Sequence, residues 1–150
     1  MLLDAFLSFL HFVFLLLMVG ALAAEAFVLR LPPSAPMLRL LSRVDLAYGA
    51  SATALVLAGF SRVFWGAKGA AYYWAEPFFL AKIATFVVVA LLSIPPTLRL
   101  LAWGRALRKD ESFLPSPEQL KGVRTYVMFE LRLLPLIILF AVLMARGIRP

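Results

Sequence analysis

The chain of 150 residues contains no cysteine and only one histidine, His11. The absence of cysteine excludes disulfides, thiolate metal sites, iron–sulfur clusters and covalent haem attachment through a C-x-x-C-H motif. With a single histidine, a zinc site would have to be completed by carboxylates, which is an unusual ligand set. Any cofactor is therefore expected to be held non-covalently, with few protein ligands.

Charged residues are also scarce, at 15% of the chain, whereas hydrophobic residues make up 63%. Soluble domains are about 45–50% apolar, and a chain this short cannot bury such an excess in a water-soluble core. The lipid bilayer is therefore the expected main partner. The net charge of +7 does not indicate nucleic acid, because the basic residues lie beside the apolar runs and form no basic face with interleaved aromatics.

Four segments are long and apolar enough to cross a bilayer, which takes about 20 residues. They cover approximately residues 5–29, 44–64, 76–101 and 126–145. The second span is rich in small residues, which let membrane helices approach closely, and the Pro95–Pro96 pair is expected to kink or end the third. The sequence therefore predicts an all-α integral membrane four-helix bundle, with residues 1–150 forming a single transmembrane domain.

The basic residues of the connections predict the orientation, because short cytoplasmic loops are enriched in Lys and Arg. Nine lie on one side of the predicted bundle: Arg30, Arg39, Arg43, Arg99, Arg105, Arg108, Lys109, Lys121 and Arg124. Four lie on the other: Arg62, Lys68, Arg146 and Arg149. The first side should face the cytoplasm, so both termini should face outward.

An outer polar layer is predicted from His11 and Lys82, which lie at similar depths from the outer ends of the first and third spans, with Arg62 within reach. Imidazole in an apolar bundle is a good axial ligand for haem iron. A lysine at this depth needs an anionic partner, such as a haem propionate. Two other interpretations remain open: His11 donates to a carbonyl of a neighbouring helix, and Lys82 reaches the outer surface beside Glu76.

An inner polar layer is predicted from Glu25, Asp45, Glu130 and Arg132. Its simplest interpretation is an ion-pair network that holds the first, second and fourth helices together, with Asp45 and Arg132 as structural partners. The alternative is proton transfer or substrate contact by Glu25 and Glu130. His11 and Glu25 are about 21 Å apart along one ideal helix, so the two layers are separate sites.

The polar positions of the first span share one helical face. Asp4, His11, Met18 and Glu25 recur every seven residues, and this spacing keeps them in a narrow stripe along a helix. Ionisable residues in membrane spans usually point into the bundle, because lipid exposure costs several kcal/mol. This stripe is therefore expected to face the bundle interior.

Several short motifs resemble the HemJ-type protoporphyrinogen oxidases, small bacterial membrane proteins with a four-helix core. The motifs are a histidine early in the first span, "RVDLAYG" at the start of the second, "FFLAKIATF" in the third and a Glu followed by Pro in the fourth. The chain is also similar to an uncharacterised bacterial family of four-span proteins. Where the HemJ-type proteins have a Trp after the histidine and an aromatic, Arg-bearing end to the first helix, this chain has "LLLMVGALAAEAFVLR".

The resemblance implies haem b bound by His11, an essential role for Lys82 and a place in the bacterial inner membrane. Because the chain has one histidine, the sixth haem position would be empty or filled by Lys82, by Met144 or by the His11 of a second copy in a homo-oligomer. The activity that the resemblance implies is oxidation of protoporphyrinogen. If haem binds, a redox role would also suit electrons passing to or from a quinone, with the inner carboxylates relaying protons.

Two other classes of function remain open. A copper-handling or transport protein would use His11, Met18 and Met144, since Cu(I) accepts imidazole and thioether ligands, although the chain has only five methionines. A structural or accessory membrane subunit would use both polar layers only to hold its helices together.

Overall fold

The computed structural model describes residues 2–66 and 69–148, and the regular structure within them is entirely helical. The helices are α1 (Leu2–Val28), α2 (Ala35–Trp65), α3 (Ala70–Trp74), α4 (Pro77–Lys109) and α5 (Pro117–Ala145). All but α3 are long and apolar enough to cross a membrane. The predicted membrane protein with four candidate spans is thus confirmed. Lys68 and Arg149, which contributed to the predicted orientation, lie outside the described residues.

Three of the four long helices extend well beyond the predicted apolar spans at the ends where the short connections lie. Ser34 caps α2 by accepting a hydrogen bond from the backbone N–H of Met37 at 3.3 Å. At the start of α5, Ser116 and Gln119 form a reciprocal capping box, whose two hydrogen bonds satisfy backbone and side-chain groups together. The helices α2 and α5 therefore begin at their capping residues, before the chain enters lipid.

Of the two expectations for Pro95–Pro96, a kink or an end of the third span, the end is wrong, because α4 continues through both prolines to Lys109. Each proline removes one backbone donor, but membrane helices tolerate the loss where neighbouring groups compensate. Ser93 donates to the carbonyl of Ala90 at 2.7 Å just before the pair. With 33 residues, α4 is about 50 Å long, so its last turns extend beyond a hydrocarbon core of about 30 Å.

The long helices form a ring in the order α1, α2, α4, α5. Extensive contact joins α1 to α2 and α4 to α5, and more limited contact of α2 with α4 and of α1 with α5 closes the bundle. The short α3 packs between the end of α2 and the start of α4. Long apolar side chains such as Leu16 (72% exposed) and Leu46 (73% exposed) cover the outside, as expected for a bundle whose solvent is lipid.

The bundle has a closed half and an open half. The closed half is the end that carries the α1–α2 and α4–α5 connections, and it contains the main core. Its buried members include Met18, Leu22, Leu41, Leu100 and Val123. In the open half, residues 2–17 of α1 and 135–145 of α5 contribute no buried side chain. The smaller core there consists of Val63, Tyr73 and Phe79.

The α4–α5 connection comprises only residues 110–116, which is shorter than the interval of residues 102–125 left between the predicted third and fourth spans. Ser112 donates from its backbone N–H and its hydroxyl to Oδ1 of Asp110, at 2.9 and 2.6 Å. These hydrogen bonds lower the pKa of the Asp110 carboxyl below its usual range. An exposed ion pair of 3.4 Å between Arg39 and Glu111 joins this connection to α2.

Candidate functional site

A cavity of about 630 Å³ lies between the long helices in the open half. Such a volume falls within the range of about 300–1,000 Å³ typical of small-molecule sites. Its walls are mainly apolar, and all four long helices contribute to them. Several wall residues are also about half exposed on the outside of the bundle, including Phe12, Leu91 and Val142. The cavity is therefore accessible from the side, where the lipid would be.

The four residues predicted to bind a cofactor all line this cavity: His11, Arg62, Lys82 and Met144. They come from α1, α2, α4 and α5 respectively. Met144 also packs against the small core of Val63, Tyr73 and Phe79. The structure thus brings together four side chains that are far apart in the sequence, on one apolar cavity.

His11 is held against α2 at a position where α2 has no side chain. A Cβ atom on Gly59 would lie 3.2 Å from Cε1 and 3.4 Å from Nδ1 of the imidazole. Nδ1 is buried there without a hydrogen-bond partner, and the backbone of Leu55, one turn earlier in α2, interacts with the ring. The imidazole therefore retains a ring nitrogen that no described group satisfies.

Two basic side chains accompany the imidazole. Nζ of Lys82 lies 5.1 Å from the centroid of the Phe79 ring, an arrangement in which the ring face attracts the ammonium. Nε of Arg62 is buried without a partner. Within the described part of the chain, neither side chain forms an ion pair. The cavity therefore presents positive charge that no described carboxylate neutralises.

Glu76 does not supply the missing negative charge. It lies at the N-cap of α4, is only 3% exposed, and makes no side-chain capping hydrogen bond. Its Oε1 has no partner among the described residues, and no ion pair joins it to Lys82. The alternative in which Lys82 pairs with Glu76 at the surface is thus not the arrangement observed.

The inner polar layer lies in the closed half, where Glu25, Asp45 and Glu130 are buried. Tyr48 donates its hydroxyl hydrogen to Oε2 of Glu130 at 2.7 Å, and Thr97 donates to Oδ1 of Asp45 at 2.8 Å. These hydrogen bonds connect α2 with α5 and with α4. We call Glu25, Asp45, Glu130, Tyr48 and Thr97 the carboxyl cluster.

The prediction that Arg132 pairs with these carboxyls is wrong. Arg132 is exposed, and its guanidinium carbon lies 5.8 Å from the centroid of the Phe129 ring. Residues two apart on a helix do not share a face, so Arg132 cannot follow Glu130 into the interior. The predicted ion-pair network between Asp45 and Arg132 is consequently replaced by hydrogen bonds from neutral hydroxyls.

The stripe on α1 connects the two sites. His11 lines the cavity, whereas Met18 and Glu25 are each 1% exposed in the closed half. The predicted inward face of the first span is therefore the observed one. The fourteen residues from His11 to Glu25 correspond to about 21 Å of helix, so the cavity and the carboxyl cluster are separate.

Three residues of these sites were not predicted as site residues: Gly59, Tyr48 and Thr97. Tyr48 follows Asp45 by three residues and Gly59 precedes Arg62 by three, a spacing that places each on the face of a residue already singled out. This three-residue spacing could have been used to predict that Tyr48 and Gly59 belong to the two sites. Thr97 had none, because its contact with Asp45 depends on how α4 passes α2.

Within residues 2–66 and 69–148, no group of three or more His, Asp or Glu side chains is arranged to hold a metal ion. Met18, one of the predicted copper ligands, is part of the main core in the closed half, about 10 Å along α1 from His11. The predicted set of His11, Met18 and Met144 is therefore not assembled around one point.

Comparison with known proteins gave one informative result. A family model described as "Predicted membrane protein (DUF2214)" matches residues 3–149. Neither the curated proteins nor the solved structures gave a match.

Proposed function

The chain belongs to the DUF2214 family of membrane proteins, and we propose that it binds haem b in the cavity of the open half and has a redox role. The observation that carries the proposal is the set of groups on the cavity wall. An otherwise apolar space is lined by an imidazole and by two basic side chains that form no ion pair with any described residue. Haem b requires these elements: an axial ligand, apolar walls and cations for its propionates.

His11 would bind the iron. Packing against Gly59 restrains its ring, the Leu55 backbone interacts with the ring from the same helix, and one ring nitrogen, Nδ1, has no hydrogen-bond partner among the described residues. Such orientation of a ligating histidine by a second group is usual in metal sites. Met144, on the same cavity wall, is the candidate for the sixth position.

Lys82 and Arg62 would bind the propionates. Each is half-buried and lacks an anionic partner among the described residues, and a hydrogen bond to a charged group contributes about 1.5–3 kcal/mol. Phe12 and Phe86 add aromatic surface to the wall and would keep water from the macrocycle. Bound haem would supply one-electron chemistry, and a lipid-soluble quinone or porphyrin would reach it through the lateral opening.

The proposal includes a location. The bacterial inner membrane is what the resemblance implies, and the excess of Lys and Arg on the connections of the closed half supports an orientation with that half toward the cytoplasm. The cavity would then lie in the outer half of the bilayer.

The first test is the visible spectrum of detergent-purified protein incubated with haem. We expect a Soret band that is lost in His11→Ala, while Lys82→Met weakens haem binding by about tenfold to a hundredfold, the equivalent of 1.5–3 kcal/mol. Arg132→Met is the matched control, because it removes an exposed cation outside the cavity. Haem with esterified propionates should bind equally to the wild type and to Lys82→Met.

Three results would contradict the proposal, two of which would each favour one of the alternatives. The first is a Soret band that persists unchanged in His11→Ala. The second is stoichiometric copper without any Soret band, which would favour the copper-handling alternative. The third is a folded protein that binds neither, which would indicate a structural role.

A further inference from the structure

The carboxyl cluster has more buried acid than its surroundings can stabilise in ionised form. Glu25 and Glu130 are each 1% exposed and Asp45 is 7% exposed. The three carboxyls interact electrostatically with one another across α1, α2 and α5. Within the described residues, no basic side chain forms an ion pair with any of them.

The described hydrogen-bond donors are too few to satisfy all the carboxyl oxygens of the cluster. Tyr48 donates to one oxygen of Glu130 and Thr97 donates to one oxygen of Asp45. Oε1 of Glu25 and Oε1 of Glu130 are both fully buried with no partner. These are the two most buried charged side chains in the described part of the chain, and each directs an unsatisfied oxygen into the protein interior.

An ionised carboxylate buried without a partner costs several kcal/mol, and neighbouring like charges increase that cost. A proton removes both problems, because a protonated carboxyl becomes a donor and can satisfy a neighbouring acceptor oxygen. A hydrated metal cation is a poorer explanation, since these carboxyls do not converge as metal ligands. We propose that Glu25, Asp45, Glu130 and Tyr48 form a proton-binding site within the membrane.

The position of Glu25 indicates the side from which this proton exchanges. Glu25 lies three residues before the end of α1 at Val28, and the connection to α2 begins directly afterwards. The cavity is about 21 Å away in the other direction along α1. Exchange therefore takes place with the aqueous phase at the closed half, and the site does not depend on whether the cavity holds haem.

The test uses dicyclohexylcarbodiimide, an apolar reagent that modifies carboxyls in their protonated form. We expect the wild-type protein in liposomes to be modified at Glu25 or Glu130 at neutral pH, as located by peptide mass spectrometry. The modification should decrease by at least tenfold as the pH is raised through alkaline values. Glu111, which is 87% exposed, is the internal control and should remain unmodified.

Substitution supplies the second measurement. The infrared spectrum of the wild type should contain the C=O band of a protonated carboxyl, which shifts in heavy water and is reduced in Glu25→Gln or Glu130→Gln. Glu118→Gln, at the exposed start of α5, is the matched control and should leave the band unchanged. The wild-type spectrum remains decisive even where a variant does not fold.

Three outcomes would overturn the inference. The first is the absence of both carbodiimide modification and the protonated band in wild-type protein at neutral pH. The second is protection by sodium at constant pH, which would identify a sodium site. The third is modification confined to exposed carboxyls such as Glu111.

Discussion

Gly59→Ala, compared with Gly49→Ala, tests the contact that positions His11. Both glycines lie within α2, so alanine should favour the helix by about 1 kcal/mol at either position. A Cβ on Gly49 meets no atom within 4 Å, whereas a Cβ on Gly59 would be 3.2 Å from Cε1 of His11. The imidazole must then move by a few tenths of an ångström, and overpacking of this kind costs about 1–3 kcal/mol.

The two variants should therefore differ in stability by about 1–3 kcal/mol, with Gly49→Ala stabilised and Gly59→Ala unchanged or destabilised. Unfolding in mixed micelles, followed by circular dichroism, measures the difference. If haem binds, Gly59→Ala should also shift its visible spectrum, because the added Cβ displaces the imidazole that would hold the iron. Equal stability and equal haem spectra for the two variants would refute the role of this contact.

Two further substitutions test the closed half. Tyr48→Phe leaves Oε2 of Glu130 without its donor and should cost about 1 kcal/mol, whereas Tyr126→Phe, at a half-buried tyrosine of α5, should be near neutral in the same unfolding assay. Leu22→Ala opens a cavity at a position that is 0% exposed, and Leu16→Ala changes a side chain that is 72% exposed. We expect a loss of about 2 kcal/mol for the first and little change for the second, since lost packing contacts cannot be replaced by lipid.

The number and order of the spanning helices could be predicted because the lipid environment requires long apolar runs. The helix ends could not be predicted from hydropathy, because hydropathy indicates where the chain meets lipid and not where its backbone stops being helical. The start of α5 is an exception, because a Ser followed three residues later by Gln is typical of a capping box, and Ser116 with Gln119 forms one. The continuation of α4 through Pro95–Pro96 could not be predicted either, because proline in a soluble helix usually ends or kinks it, whereas membrane helices tolerate proline.

For the candidate sites, the depth of a residue along its helix predicted which side chains lie together better than the pairing of opposite charges did. Similar depth placed His11 and Lys82 on the same cavity. Pairing opposite charges by depth alone failed for Arg132, since residues two apart are about 200° apart around a helix. Tyr48 and Thr97 stabilise the cluster through neutral hydroxyls, which a search for charged partners does not detect.

The effect of a substitution on stability should depend on whether the residue lies in the closed half or in the open half. Stability depends mainly on the closed half, which contains the main core, whereas residues 2–17 of α1 contribute no buried side chain. His11→Ala should therefore alter the cavity with little loss of stability, because the removed ring leaves space that is already continuous with a cavity.

The carboxyl cluster lies within the packed half, so its protonation should be coupled to the stability of the whole bundle. The folded state would hold a proton that the unfolded chain releases, and stability should consequently fall as the pH rises above the range in which exposed carboxyls titrate. Glu25→Gln, which retains the shape without the ionisable group, should reduce that dependence.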